Sequence, residues 1–401
     1  MKNSTNNEIT GVASRCCCIV LAAGFSSRMG AFKPLLPVGD VPAIVRTVTA
    51  AQSAGATVVV VTGHRGDELR DVLAGTGAVI AHNGDYANGM FSSVLTGVCA
   101  VLSLAENDYA DNAPCGVFLL PADCCAIKTE TFAALLREFE RTGERVQPVC
   151  VSSSPQGEAR TSTAGAVDVK HKSHPPIIQL EILRGLLTHD PDDDGAKGYF
   201  RRFTSHALEV DDAGVTLDMD TPRDYAQLLA HLRLPTFPDI SRARELLQKY
   251  NTAQDITEHG AHVAAFCVWA GERLNALGAN INVPLLEVSA LLHDICRAED
   301  EHEVRGFELL LREGYPDAAE LVRDHMEPPK QGAMREAELL YVFDKLLRRG
   351  ELVPPDVTLK KLSERFAEDA DALRAATARM EACEALLNKY KNEYDINLMN
   401  V

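Results

Sequence analysis

From Cys16 onward, short apolar runs alternate with helical stretches, and this alternation limits the possible folds more than any other feature of the chain. "CCCIVLAAG", "TVVVVTG", "AVIAHN" and "CGVFLLPAD" are strand-length apolar runs, the second rich in valine as a strand covered on both faces should be. "PAIVRTVTAAQSAG", "RGDELRDVLAG" and "MFSSVLTGVCAVLSLA" separate them, and "KTETFAALLREFER" follows; all four read as helices. Strand and helix in strict alternation predict an α/β fold with a mostly parallel sheet between two helical layers. Ligands of such sheets bind beyond the carboxyl ends of the strands. The loops after "IVLAAG", "VVVVTG" and "FLLPAD" are therefore the places to look. Further on, "SSSPQGEARTSTAG" reads as a loop, "PPIIQLEILRGLL" and "GAKGYFRRF" as helices, and residues 205–210 and "VTLDMDTP" as strands.

The pattern changes near "LRLPTFPDIS", where two prolines break one helix and Ser241 can cap the next. Beyond it, residues 242–249, 258–276, 284–295, 302–312, 316–326 and 333–349 all read as helices, with no strand among them. The tail, 358–394, reads as one or two amphipathic helices for packing. The expected division is a disordered arm over 1–14, an α/β domain over 15–235, an all-α domain over 241–350 and a helical extension over 351–401.

The chain has 401 residues and a net charge of −17, with no long block of like charge. A nucleic-acid partner would be expected to find a basic face, so none is expected here. The eleven cysteines include the adjacent sets Cys16–Cys17–Cys18 and Cys124–Cys125 and no C-x-x-C pair. That reads as reduced, buried thiols of a cytoplasmic protein rather than a disulfide frame or zinc knuckle. The opening residues lack an apolar signal core. No apolar run approaches the roughly eighteen residues that span a bilayer, so no membrane partner is expected.

The loop "LAAGFSSRMGAFKPLLP" carries more than a strand-to-helix turn requires. Gly24 lets backbone N–H groups approach a ligand, Ser26 and Ser27 add hydroxyls, and Arg28 and Lys33 can aim two cations at one anion. A triphosphate needs this combination. Two aspartates, Asp123 at the end of "CGVFLLPAD" and Asp220 in "VTLDMDTPRDY", are candidate ligands for Mg²⁺, which prefers oxygen; Asp218 lies two residues before the second.

The loop resembles the L-A-A-G-x-S-x-R-M-G-x-x-K-x-L-L-P signature of the MobA-like nucleotidyltransferases, and within them the molybdenum cofactor cytidylyltransferase branch. "AHNGDYANGMFSSVLTGV" is similar to that branch's N-x-x-[WY]-x-x-G-M-x-S-S motif, and Asp218 to Tyr225 match its D-x-D-T-P-x-D-Y string. The resemblance implies a Rossmann-like domain over residues 16–230. It implies a nucleotide site made by Leu21, Ala22, Ala23, Gly24, Ser26, Ser27, Arg28, Lys33, Asn83, Gly89, Ser92 and Ser93, with Met90 in the motif. It further implies catalysis by Arg28, Lys33, Asp123 and Asp220 with Mg²⁺, CTP as donor and a molybdopterin-type acceptor. Molybdenum hydroxylase apoproteins or their maturation factors are the partners it suggests. The chain departs from the family where Cys124 and Cys125 follow Asp123, and where Ser173-His174-Pro175 stands for G-H-P. Two rival readings remain: GTP or a phosphosugar in place of these substrates, and a nucleotide- and metal-sensing regulator without turnover.

In the helical half, His293 and Asp294 follow the apolar "VSALL", with His262 upstream and Asp344 downstream, each on an apolar helix. Two imidazoles and two carboxylates make a mixed N/O site for a divalent transition metal, Mn, Fe, Co or Zn. The ordered set resembles the HD superfamily of metal-dependent phosphohydrolases, over residues 241–349. The resemblance implies that His262, His293, Asp294 and Asp344 hold the metal. Arg297 replaces the lysine of the H-D-I-G-K string as a phosphate contact, and His302 and His325 match positions for a second metal or the substrate.

Overall fold

The computed structural model describes residues 16–108, 116–151, 173–189, 195–330 and 332–400. The expected arm over 1–14, the expected loop "SSSPQGEARTSTAG" and the stretch "DPDDD" over 190–194 lie outside the described residues. The chain divides into two units between Asp224 and Tyr225.

In the first unit, the run that opens the pattern forms β1 (Cys16–Ala22), the middle of a seven-stranded sheet. The others are β2 (Thr57–Thr62), β3 (Val79–His82), β4 (Gly116–Pro121), β5 (Val146–Cys150), β6 (Ile177–Gln179) and β7 (His206–Val210). Their order across the sheet is β3-β2-β1-β4-β6-β5-β7. β1 runs parallel to β2 and β4, with Val20 opposite Val60 and Leu120. β2–β3 and β5–β7 are also parallel, while β6 is antiparallel to both neighbours. The strand order reverses at β1 and β4, which makes their carboxyl ends the switch point of the sheet.

The helices of this unit are α1 (Ala43–Ser53), α2 (Gly66–Leu73), α3 (Met90–Asp108), α4 (Thr129–Thr142), α5 (Leu180–Gly185) and α6 (Gly195–Phe200). Alternate residues of β1 serve opposite cores. Cys16, Cys18, Val20 and Ala22 join Ile44 and Val48 of α1 and Leu135 and Phe139 of α4. Cys17 and Ile19 join Val94 and Val98 of α3 and Leu183 of α5. Cys16, Cys17 and Cys18 are free thiols, and burial pushes Cys17 up to about 12 and Cys18 well above a thiol's ordinary value. Thiols held protonated this strongly are packing groups.

Two local expectations change. "PPIIQLEILRGLL" is not one helix: Ile177–Gln179 is β6, and only Leu180 onward is helical. Ile177 and Ile178 lie in opposite cores, the alternation of a strand buried on both faces, which a short apolar run does not distinguish from a helix. "VTLDMDTP" is not a strand either. A 3₁₀ turn, Ala213–Thr216, opens there, and Asp218 and Asp220 belong to no strand.

Helix α7 (Pro222–His231) runs through the division between the units, so the Pro-rich stretch after Leu232 marks the end of that helix and lies inside the second unit. The rest of that unit is α8 (Ile240–Lys249), α9 (Gln254–Ala276), α10 (Val283–Leu292), α11 (His302–Arg312), α12 (Pro316–Asp324), α13 (Arg335–Leu346), α14 (Pro355–Arg365) and α15 (Ala370–Tyr394). One small antiparallel hairpin, Leu347–Arg348 with Glu351–Leu352, interrupts the helices where no strand is expected. Leu285, Leu286 and the run from Val288 to Leu292 are buried, so α10 is the central helix of this unit, apolar around its circumference. It lies close against α9: a Cβ added at Gly260 would come within 2.8 Å of the Leu291 carbonyl oxygen.

Candidate functional site

Beyond Ala22 the chain enters a loop that ends in the 3₁₀ turn Lys33–Leu35. Ser26 takes a left-handed backbone (φ 58°), and its Oγ accepts the Lys33 backbone N–H at 3.2 Å. Lys33 Nζ lies 3.2 Å from Asp123 Oδ2 and 2.7 Å from Asp220 Oδ1, and Arg28 Nη1 lies 3.1 Å from Asp220 Oδ2. Asp123 follows β4. Asp220 is held by the start of α7, where the Thr221 N–H and hydroxyl both donate to Asp224 Oδ2, at 2.9 and 2.7 Å. The structure thus brings together Arg28, Lys33, Asp123 and Asp220 at the switch point of the sheet.

Burial works against the Lys33 ammonium, but the hydrogen bond to Asp220 and the charge of Asp123 outweigh it and hold Lys33 above the ordinary lysine value. Asp218 is raised above the usual carboxylate range, first by desolvation and then by the charges of Asp220 and Asp123. Asp220 rather than Asp218 meets the cations, at 2.7 Å from Lys33 and 3.1 Å from Arg28.

A cavity of about 400 Å³ opens here, lined by residues 21–28, Lys33, Asp123 and Asp220, and on the far wall by Tyr86, Gly89, Met90 and Ser93. A Cβ at Gly24 would meet nothing within 4 Å, so that backbone faces open space. Asn83 and Ser92 are not in the lining. Asn83 Nδ2 donates to Ser92 Oγ at 2.9 Å and Ser93 Oγ at 3.0 Å, while its Oδ1 accepts the Asp85 N–H at 2.9 Å. Their side chains lock the loop after β3 onto the start of α3. Phe25 and Tyr86 belong to the wall although the sequence reading gave them no role. Phe25 is 55% exposed, with its ring 5.2 Å from His64 and 5.4 Å from Tyr86. Their signal was an aromatic residue in loops already singled out at the strand ends.

The helical unit holds a second cluster. His293 and Asp294 emerge from the carboxyl end of buried α10, and Asp344 comes from α13. His259, not His262, joins them from α9: its Nε2 lies 3.1 Å from Asp344 Oδ1 and its ring 5.4 Å from that of His293. His262 is exposed, with its ring over the hairpin glycine Gly350. The physical reason is helical phase. His259 shares the buried stripe of Val263, Cys267, Ala270 and Leu274, whereas His262 points with Phe266, Trp269 and Arg273.

His293 Nε2 lies 3.4 Å from Asp344 Oδ1 and 3.5 Å from Asp294 Oδ2. On the other side of Asp294, Oδ1 lies 3.1 Å from His302 Nε2 and 3.6 Å from His325 Nε2. The Nδ1 atoms of His293 and His325 stand 2.8 and 2.6 Å from the carbonyls of Ala290 and Val322. Donation there turns each Nε2 toward the cluster as the nitrogen a metal would take. His293 Nε2, Asp294 Oδ1 and His325 Nε2 are buried without a hydrogen-bond partner. Such atoms are costly to bury unless something else binds them. Three overlapping groups converge within ligand range: His259, His293 and Asp294; His293, His325 and Asp344; and Asp294, His302 and His325. An N/O set of this kind fits a divalent metal. At the two edges, Lys345 Nζ binds Asp344 Oδ2 at 2.6 Å, and Arg297 Nη1 lies 2.9 Å from His302 Nε2.

Without a metal, burial disfavours the His293 imidazolium, but the carboxylates of Asp294 and Asp344, 3.5 and 3.4 Å from its Nε2, outweigh burial and raise it to about 10. Burial opposes the charge of both carboxylates as well, yet the imidazoles beside them, His293 and His325 at Asp294 and His259 and His293 at Asp344, hold both well below the usual carboxylate range.

Comparison with known proteins agrees with this division. The family model described as "MobA-like NTP transferase domain" matches residues 18–210, and the one described as "HD domain" matches residues 256–376. The molybdenum cofactor cytidylyltransferase of Escherichia coli (strain K12) is 40% identical over 212 residues, which are 52% of this chain and 92% of that protein. The chain belongs to the MobA-like NTP transferase family. It carries an HD domain after the transferase domain. Among solved structures, Rv0371c from Mycobacterium tuberculosis H37Rv covers 54% of this chain and 98% of its own, at 22% identity and a TM-score of 0.42. A nucleotidyl transferase from Methanothermobacter thermautotroptrophicus gives the same four values.

The transferase match ends at residue 210, before Asp220, and the HD match extends beyond 349 through α14 into α15. The chain is thus a nucleotidyltransferase with an HD domain, a family of metal-dependent phosphohydrolases, and it is an enzyme. Among the described residues no helix is long and apolar enough to cross a membrane.

Proposed function

We propose that the transferase domain moves CMP from CTP to a molybdopterin-type phosphate acceptor. The observation that carries the nucleotidyl-transfer part is Lys33 joined to both Asp123 and Asp220 in a cavity walled by the β1 loop. The choice of CTP and of the acceptor is supported by the E. coli relative, whose name states that chemistry. In this reading Arg28 and Lys33 turn from the carboxylates to the triphosphate, and backbone N–H groups around Gly24 cradle it. Asp123 and Asp220 would then hold Mg²⁺, for which two carboxylates are a suitable donor set. Held there, the ion would supply positive charge against the charge that develops on the phosphates. A terminal phosphate oxygen of the acceptor attacks the α-phosphorus, the bond to the β-phosphate oxygen breaks, and pyrophosphate leaves with that electron pair toward Lys33 and Arg28. The attacking oxygen is already anionic, so no general base is needed.

The test is pyrophosphate release by the full chain with Mg²⁺ and molybdopterin, offered CTP, GTP or ATP in turn. Release with CTP alone, dependent on the acceptor, is the expected result. Preference for GTP would overturn the donor assignment, and affinity for nucleotide without release would favour a sensor.

For the HD domain we propose metal-dependent hydrolysis of a phosphoester, with His259, His293, Asp294 and Asp344 as ligands. A bound divalent ion would supply an activated water. The orphaned Nε2 of His293 supports this reading most directly. Arg297, 48% exposed at the edge of the cluster, is placed to meet a substrate phosphate. Turnover of a phosphoester panel with Mn²⁺, lost in His293→Ala, is expected; equal turnover by the variant would refute it.

A further inference from the structure

We propose that Lys345 is a second phosphate contact of the HD centre, opposite Arg297, and that the centre takes substrates carrying a diphosphate group, free or esterified to a nucleoside. The inference rests on the hydrolytic reading above and narrows its substrate class. The centre is a chain of contacts with a cation at each end. His293 Nε2 stands in the middle, 3.5 Å from Asp294 Oδ2 and 3.4 Å from Asp344 Oδ1. Each carboxylate gives its other oxygen to a cation: Arg297 Nη1 lies 3.5 Å from Asp294 Oδ1, and Lys345 Nζ lies 2.6 Å from Asp344 Oδ2. In a chain of net charge −17 this pairing is not a stretch of general basic surface.

Lys345 is short of acceptors for a mostly buried ammonium. Such a group has three donors. Among the described residues those of Lys345 meet one carboxylate, Asp344, and the Met326 sulfur at 3.4 Å, a weak acceptor. Both cations also rest on carboxylates that serve as metal ligands in the reading above. A metal bound there draws on the same negative charge and leaves an ammonium and a guanidinium under-neutralised on opposite sides of His293. Charges in a half-closed site need an opposite partner. A single phosphate answers the cation it lies against, whereas two phosphates joined by an oxygen answer both. Arg297, half exposed, can turn to the terminal phosphate, and Lys345 marks the place of the inner one. A water oxygen then attacks the terminal phosphorus as the bridging P–O bond breaks. The electron pair of that bond leaves with the inner phosphate, held by Lys345. One water proton stays on the new phosphate and the other goes to the leaving one. Nucleotidyl transfer, the class of reaction proposed for the first domain, releases a free diphosphate and so supplies a substrate of this kind.

The experiment uses the full chain with Mn²⁺ in a Lys33→Ala background, which weakens diphosphate binding at the transferase site; His293→Ala in the same background subtracts what remains there. Phosphate release is measured from pyrophosphate, CDP and CMP. Binding of methylenediphosphonate, whose P–C–P link resists cleavage, is compared with that of inorganic phosphate by calorimetry. kcat/KM for pyrophosphate or CDP should exceed that for CMP by about tenfold or more, and the diphosphonate should bind about tenfold tighter than phosphate, the usual worth of one added hydrogen bond to a charged group. Lys345→Met should remove both margins, chiefly through KM, and Lys345→Arg should keep them. Turnover of pyrophosphate without CDP would support the free diphosphate as substrate, and turnover of CDP without pyrophosphate the esterified one. CMP hydrolysed as well as CDP and pyrophosphate, or margins unchanged in Lys345→Met, would overturn the proposal. No Mn²⁺-dependent turnover of any of the three, with diphosphonate binding untouched by His293→Ala, would overturn the hydrolytic reading with it.

Discussion

At the residue scale, the two sites share a device: each neutralises its acids with cations that a substrate or ion must displace. Lys33 bridges Asp123 and Asp220 so closely that Mg²⁺ and the ammonium compete for the same oxygens. Mg²⁺ should therefore bind weakly alone and far better with a nucleotide that draws Lys33 away, which calorimetry with and without CTP would reveal. Lys33→Ala should lower kcat by about 10²–10³, the usual loss for one preorganised charge partner, while Mg²⁺ affinity in the absence of nucleotide rises. An unchanged kcat would remove Lys33 from the mechanism. In the HD centre the competitor is a proton. His293, raised to about 10, is protonated at neutral pH in the metal-free protein, so binding a metal must expel that proton. The direction follows: below about 10, each unit of rising pH should tighten the metal by about tenfold from this group alone. Calorimetry in buffers of different ionisation enthalpy should count about one proton released. His293 and Asp294 were legible in the sequence because they adjoin a buried run. His259 was obscured by His262, three residues away, and only the phase of the apolar stripe separates them.

At the element scale, what places these groups is backbone proximity, and that is where sequence reading reached least far. The alternation of strands and helices located β1 to β4 because each run is bounded by turn residues and separated by a full helix. β6 escaped it because three residues leading directly into a helix carry no period of their own. Asp220 is where a strand was expected and none exists; its position comes from the Thr221–Asp224 cap of α7, a local hydrogen-bond pattern rather than a pleat. The approach of α9 to α10 is the clearest case. Gly260, adjacent to His259, faces the Leu291 carbonyl two residues before His293. Gly260→Ala would force the helices apart at the point where the two histidines meet. A backbone oxygen cannot rotate aside, so we expect a loss of about 1–3 kcal/mol in stability. Mn²⁺ affinity should fall by about tenfold or more as His259 withdraws. Thermal unfolding and metal titration of this variant check both effects, and native affinity at lowered stability would show that His259 is not a ligand.

At the scale of the whole molecule, each candidate site is complete within its own unit. The residues of the first run from Leu21 to Asp220, and those of the second from His259 to Lys345, on either side of the division at Asp224. Each unit also has its own buried core, the sheet faces in one and α10 with its neighbours in the other. No ligand, charge partner or cap of one cluster is drawn from the other among the described residues. Chemistry at one site should therefore survive damage at the other. His293→Ala should leave the rate of CTP-dependent pyrophosphate release within about twofold of the wild type, since its ΔΔG‡ at a site built from other residues should be within the roughly 0.5 kcal/mol of additive behaviour. Lys33→Ala should likewise leave Mn²⁺ binding at the HD centre unchanged. Rates measured on both variants and on the double variant close the cycle. A coupling above about 1 kcal/mol between Lys33 and His293 would show that the two units exchange free energy through elements outside either cluster.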